Sequence, residues 1–249
     1  MSFVRQAIAI ATMISIGSVV AAKSSFAQTH GGHHSSPSNS VVPEITESQR
    51  RAEKYVNQAL NRLHNKDYQA AIDGLTEAIE IQRDHYIAYT YRGDIYRSLG
   101  KYQAAIDDYT KAIKHNPSHS YLLNSRGVSY AALGKFEKAI EDHSQAIEIY
   151  PEEGAGYSYR GAMYFKVGEN EKALDDLNRA IAGNANNAEA YTYRGQVQVK
   201  LGNNQAAIAD YQTAARLFAS QSNKAGYTRA TNLAKALQQA TPTASTQKK

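Results

Sequence analysis

The chain repeats itself every 34 residues, and no other feature limits its possible folds so strongly. The stretch "YTYRGDIYRSLGKYQAAIDDYTKAI", which begins at Tyr89, returns as "LNSRGVSYAALGKFEKAIEDHSQAI". It returns twice more, as "YSYRGAMYFKVGENEKALDDLNRAI" and "YTYRGQVQVKLGNNQAAIADYQTAA". Such a chain is expected to build an extended surface from stacked copies, because one copy alone cannot bury its apolar faces.

The apolar positions of each copy predict two packed helices. In the copy that begins at residue 86, the first helix presents Tyr89, Gly93, Tyr96 and Leu99, and the second presents Ala105, Tyr109, Ala112 and Ile113. Glycine and alanine let the two backbones approach, and tyrosine fills the remaining space. Gly100 suits the end of the first helix, where a left-handed residue is often needed, and Pro117 ends the second.

This pattern resembles the tetratricopeptide repeat (TPR). The matching residues are Tyr89-x2-Arg92-Gly93-x2-Tyr96, then Ala105-x3-Tyr109, then Pro117. The resemblance implies an all-α, right-handed superhelical solenoid of about five repeats. We place unit one at 52–85, unit two at 86–119, unit three at 120–153, unit four at 154–187 and unit five at 188–221. Unit one is degenerate, and residues 222–240 predict a C-terminal capping helix.

Four units depart from the family pattern in the same way, because they carry charged residues at two positions. The residue before the glycine of the first helix, usually apolar in this family, is arginine in four units, and an aspartate recurs in the second helix. These residues are Arg92, Arg126, Arg160 and Arg194, with Asp108, Asp142, Asp176 and Asp210. Unit one has neither charge, so we predict Arg–Asp pairs that fix how the helices stack. The alternative is a row of arginines that binds phosphate or carboxylate.

The resemblance also implies that the first helices line a concave groove that holds a peptide. We predict that its lining comes from the first-helix stripe opposite the core. The predicted groove residues are Thr90, Asp94, Arg97, Asn124, Val128, Ser158, Tyr159, Phe165, Lys166, Thr192, Gln196 and Lys200. The lysine–asparagine clamp with which one subfamily captures a C-terminal carboxylate is not expected, because the early units supply Asn124 but no lysine.

Motifs typical of enzymes are not found in the chain. It has no glycine-rich phosphate loop, no nucleophile elbow and no H-E-x-x-H motif. Cysteine is absent, which excludes thiolate zinc sites and thiol nucleophiles. The formal net charge of +5 is not clustered, so nucleic acid is not an expected partner. We therefore expect a non-catalytic scaffold without a cofactor, whose partner is a peptide or protein.

The N-terminus has the pattern of a secretory signal peptide. Arg5 precedes an uncharged, mostly apolar run from Ala7 to Ala22, and small residues follow up to Ala27. We predict cleavage after Ala27, with Ala22 as an alternative. An uncleaved anchor is another alternative, although the run is shorter than a bilayer normally requires. The prediction is an exported protein, periplasmic or secreted, with no membrane span after cleavage.

A polar lead at 28–46 and a polar tail at 241–249 flank the repeats, and we expect both to be disordered. The lead carries His30, His33 and His34, a possible Cu(II) or Ni(II) site if cleavage leaves Gln28 first. An alternative function is therefore metal handling, with the solenoid as a docking module. His85 and His119 share one repeat position, and we predict that they are surface turn residues.

Overall fold

The computed structural model describes residues 45–240, so the predicted signal peptide, almost all of the lead and the tail lie outside the described residues. The described chain is all helix and turn. In chain order the helices are α1 (Glu47–His64), α2 (Tyr68–Ile81), α3 (Tyr86–Ser98), α4 (Tyr102–His115), α5 (Ser120–Ala132), α6 (Phe136–Ile149), α7 (Gly154–Val167), α8 (Asn170–Gly183), α9 (Ala188–Lys200), α10 (Asn204–Ser220) and α11 (Lys224–Ala240). The predicted all-α solenoid is confirmed.

Each unit is one hairpin of a first helix (α1, α3, α5, α7, α9) and a second helix (α2, α4, α6, α8, α10). Glycine allows each pair to approach closely. A Cβ at Gly127 would lie 2.7 Å from Cε1 of His143, and one at Gly195 would lie 2.6 Å from Cε1 of Tyr211. Both distances are shorter than real Cβ contacts, so a larger residue forces the facing ring or its helix to shift.

The turns within units two to five use a left-handed glycine. Gly100, Gly134, Gly168 and Gly202 have φ angles of +74°, +73°, +87° and +80°. In unit one the same position is Lys66, which takes φ +60° and carries the strain that glycine avoids. Thr46 begins the described helical part with a capping box, in which its side chain and that of Gln49 cap each other's backbone.

Neighbouring hairpins stack along the chain, with α2 against α3, α4 against α5, α6 against α7 and α8 against α9. Consecutive first helices also contact one another, from α3 to α5, α5 to α7 and α7 to α9. Consecutive second helices make no comparable contact within residues 45–240. The first helices therefore form the inner, concave wall, and the second helices form the outer one.

The last helix, α11, packs against α10 and buries Gly226, Ala230 and Ala234. A bond from Arg229 to Glu189 links it to α9. It covers the end of the stack as a single helix. Within the described residues, no helix combines the length and the apolar character needed to cross a membrane.

Candidate functional site: the concave face

The predicted groove residues differ in how far they reach solvent. Tyr159, Lys166 and Lys200 are exposed. Six others are half-buried, namely Thr90, Asp94, Arg97, Val128, Phe165 and Gln196. The exposed and half-buried members all lie on first helices, and their place in the groove stays a prediction.

Three predicted groove residues need correction, because the structure buries them. Asn124 is 6% exposed, Ser158 8% and Thr192 2%. They occupy the same position in units three, four and five, where the first helix packs against its neighbours. Thr192 donates its hydroxyl to the Ala188 carbonyl within its own helix, and Asn124 bonds to His143. Their side chains therefore offer no direct contact to a partner.

A polar cluster stands at the unit two end of the groove and joins three helices. Oδ1 of Asp94 accepts from the hydroxyls of Tyr109 and Tyr121, both at 2.7 Å, and from Arg97 at 3.3 Å. Nε of Arg97 also donates to the Tyr109 oxygen at 3.0 Å. Burial, with the nearby charge of Asp94, raises the pKa of Tyr121. The cluster keeps its phenols protonated and fixes α3, α4 and α5 to one another.

Unit three has a buried histidine where units two and five have Tyr109 and Tyr211. His143 is 1% exposed, and its Nδ1 lies 2.9 Å from Oδ1 of Asn124. Its ring stacks on that of Tyr159, with centroids 5.2 Å apart, and its Nε2 has no hydrogen-bond partner. Burial first, and the charge of Arg160 second, lower the pKa of His143 to about 3. The imidazole is therefore neutral in the folded protein, and Asn124 places the proton on Nδ1.

The unit four and unit five end of the groove is aromatic and cationic. Phe165 and Tyr193 meet edge to face, with centroids 6.5 Å apart. Lys166 and Lys200, on the same two helices, are exposed and form no ion pair within the described residues. At the rim, Arg229 of α11 binds both carboxylate oxygens of Glu189, at 2.7 and 2.8 Å, so that acid is already neutralised.

The arginines and aspartates form an arginine ladder along the stack. Each arginine donates through Nε and one terminal nitrogen to both carboxylate oxygens of the aspartate in its own unit, at 2.7 to 2.9 Å. The other terminal nitrogen donates to a polar side chain in the preceding unit. These acceptors are Thr76, Thr110, Ser144 and Asn178, which again recur every 34 residues.

This geometry contradicts the alternative in which the arginines bind phosphate or carboxylate. Two donors of each guanidinium bond to the aspartate of the same unit, and a third donor bonds to a side chain of the preceding unit, as Arg92 does with Asp108 and Thr76. The hydrogen bond to Asp142 also raises the pKa of Arg126, so the guanidinium stays charged, while burial raises the pKa of the Asp142 carboxyl. Flanking tyrosines cover the guanidinium groups, as Tyr89 and Tyr96 do for Arg92.

Two other histidine predictions can be compared with the described residues. His119 is exposed, as expected, but His85 is buried and caps α3 by accepting from the Ala88 amide at 3.3 Å. The surface prediction for His85 is therefore wrong. His30, His33 and His34 lie outside residues 45–240, and their metal site stays a prediction. In the described part, no three His, Cys, Asp or Glu side chains group together as metal ligands would.

Sequence reasoning did not find Tyr121, His143 or Arg229 as parts of this face. A signal for the first two was present, since both break the repeat at their positions. The equivalents of Tyr121 in units four and five are Ala155 and Glu189, and Tyr109 gives way to His143. Arg229 lies in α11, outside the repeat register, so periodicity could not mark it.

Family models match much of the chain. Models described as tetratricopeptide repeat match residues 86–119, 120–153 and 188–221, and one described as TPR repeat matches 161–202. Together these matches cover more than half of the 249 residues. A comparison with curated proteins found no match.

Solved structures of similar shape are themselves helical repeats. MamA (residue 41 to its end) from Desulfovibrio magneticus RS-1 has a TM-score of 0.64 at 18% identity, over 72% of this chain and 99% of that one. TTC0263, a thermophilic TPR protein of Thermus thermophilus, has a TM-score of 0.59 at 18% identity, over 73% and 98%. YrrB, a TPR protein described as having an unusual peptide-binding site, has 0.59 at 17% identity, over 76% and 100%. These likenesses show the shared fold, and the family models show that the chain belongs to the tetratricopeptide repeat family.

Proposed function

We propose that the protein is a non-catalytic scaffold outside the cytoplasm, and that it binds a peptide or protein partner along its concave face. The observation that carries the proposal is the set of aromatic and cationic side chains that the first helices α7 and α9 present to solvent. Tyr159, Phe165, Lys166 and Lys200 reach solvent there, fully or in part. Aromatic residues on a fixed surface contribute large contact areas at a low cost in conformational entropy.

Rigidity of the wall supports this function, because a preformed surface loses little freedom on binding. The Asp94 cluster fixes units two and three on the concave side, and the arginine ladder links each unit to the one before it. YrrB, which shares the fold, is described as having a peptide-binding site. Catalysis would need one singular set of groups, whereas the charged residues here mostly recur with the repeat or pair with one another.

The test is partner capture by the immobilised full chain from an envelope extract, followed by identification of the retained proteins by mass spectrometry. The groove variant combines Phe165→Ala, Lys166→Glu and Lys200→Glu, and the control combines Tyr150→Ala with Lys111→Glu. Tyr150 is 60% exposed after α6 and Lys111 is exposed on α4, a second helix, so both lie away from the groove. We expect a partner that the groove variant loses and the control keeps.

Retention of every partner by the groove variant would contradict binding at this face. The variants must first show matching helical circular dichroism, so that loss of binding reports the surface and not the fold. Export rests on residues 1–27 alone and has a separate test. The intact mass of the exported protein should lack the first 27 residues, and a full-length mass would contradict cleavage.

A further inference from the structure

Units two and three fill the same part of the groove in opposite ways. In unit two the phenol of Tyr109 reaches the concave side, where Asp94, Arg97 and Tyr121 bond to it or to one another. Thirty-four residues later these four positions are His143, Val128, Ala131 and Ala155. At these equivalent positions one large polar cluster is thus replaced by a shorter ring and three apolar side chains.

Small side chains alone would not indicate a ligand, but His143 supplies a second observation. Its Nδ1 is held by Asn124, so Nε2 is an acceptor, and this buried atom has no hydrogen-bond partner. Nε2 is the outer nitrogen of a ring shorter than that of Tyr109, and a Cβ at Gly127 would lie 2.9 Å from it. An unpaired buried acceptor costs about 1–3 kcal/mol, so a donor that reaches it contributes to binding.

Val128, Ala131 and Ala155 are half-buried, so solvent reaches these three positions in part. The aromatic ring that contacts His143 is that of Tyr159, with centroids 5.2 Å apart. Tyr159 is 37% exposed and its ring stacks on the imidazole, so a ligand that reaches Nε2 must displace this side chain. We define the His143 pocket as His143, Val128, Ala131, Ala155 and Tyr159.

The charged side chains of the groove indicate which kind of peptide segment it would bind. The carboxylate of Asp94 already accepts three hydrogen bonds, and Glu189 is paired with Arg229. Lys166 and Lys200 are exposed on the same wall with no ion pair in the described part of the chain. Near Tyr159 the Glu153 carboxylate accepts from the Ser120 hydroxyl and adds negative charge. The open positive charge is therefore that of Lys166 and Lys200 in units four and five, and there it complements an acidic segment.

We propose that the groove binds an acidic peptide segment through one tyrosine or tryptophan, whose ring enters the His143 pocket and whose O–H or N–H donates to Nε2 of His143. The inference rests on the proposed function and specifies the partner of the same groove. The incoming ring replaces the phenol that unit three lacks. The acidic residues beside it contact Lys166 and Lys200.

The probe is a phage-displayed library of random dodecapeptides, selected on the immobilised full chain. We expect enriched sequences with one tyrosine or tryptophan and nearby aspartate or glutamate. A fluorescent copy of the strongest peptide is then compared with its Tyr→Phe (or Trp→Phe) form by anisotropy. Removing the donor should weaken binding to the wild type about three- to tenfold, the value of one hydrogen bond.

The same peptide pair is measured on His143→Phe, which keeps a ring at this position but removes the acceptor. There the two peptides should bind within about twofold of each other, because neither can form the bond. Ala131→Arg places in unit three the side chain that unit two has at Arg97, and it should weaken both peptides about tenfold or more. Ala209→Arg, on the exposed outer side of α10, is the matched control and should change neither.

The outcomes separate this inference from the proposed function. Suppose that the selected peptides bind and lose affinity for the triple groove variant. If they lack tyrosine and tryptophan, or if His143→Phe does not remove the difference between the two peptides, the pocket is overturned and the scaffold function stands. Peptides unaffected by every groove variant, or no enrichment over an unrelated helical protein, would overturn both.

Discussion

Acid should destabilise this protein through His143, and the size of the effect can be estimated from the structure. The buried imidazole has a pKa of about 3, whereas an exposed histidine in the unfolded chain has about 6.5. Below pH 6.5 the unfolded state therefore binds a proton that the folded state does not. Stability rises with pH in this window, so it is lost as pH falls from about 6.5 towards 3.

The loss approaches about 1.4 kcal/mol for each pH unit, so moving from pH 7.0 to 4.5 removes about 2.5 kcal/mol of unfolding free energy. The assay is urea denaturation followed by circular dichroism at pH 7.0 and 4.5, for wild type and for His143→Phe. Other titrating groups, including His85, whose pKa burial also lowers, contribute equally to both proteins. We expect the variant to lose about 2–3 kcal/mol less than wild type over this interval. Equal losses in the two proteins would refute the assignment of a buried neutral imidazole.

Three further predictions concern the repeats themselves. A double-mutant cycle on Arg126→Ala and Asp142→Ala should give a coupling of about 1–3 kcal/mol in unfolding free energy, and additive losses would contradict a stabilising pair. Lys66→Gly should stabilise unit one by about 0.5–1 kcal/mol because it relieves a left-handed lysine, and Lys66→Ala, its control, should not. Gly127→Val should destabilise by at least about 1–3 kcal/mol, since its side chain meets His143, and an unchanged melting temperature would contradict the packing.

The repeat period was sufficient to predict the helices. Unit two was placed at 86–119, and its helices run Tyr86–Ser98 and Tyr102–His115. The left-handed turns were equally predictable, because only glycine recurs at their position in four units. The spacing of residues along a helix predicts which of them share a face. It does not show which residues of that face are covered by the first helix of the neighbouring unit. For that reason Asn124, Ser158 and Thr192 were expected in the groove and are buried instead.

Contacts between units were harder to predict than contacts within one. The pairing of Arg126 with Asp142 could be inferred because both types recur without exception in four units. The residue in the preceding unit that bonds to each arginine varies in type, from threonine to serine to asparagine. Because no single residue type recurs at this position, the repeat pattern did not indicate the contact. The buried role of His143 was not predicted because a histidine occurs at this repeat position only once. The repeat pattern gives information on recurring residues and none on single ones.

The arginine ladder has a consequence for how such a chain can change its length. Each arginine bonds to a residue 16 positions after it and to another 16 positions before it. Deleting residues 120–153 would remove Ser144, but it would bring Thr110 to the same distance before Arg160. The gene can therefore gain or lose whole units by recombination with every arginine still satisfied. A deletion whose length differs from a multiple of 34 residues by even a few residues would leave a guanidinium without its partners.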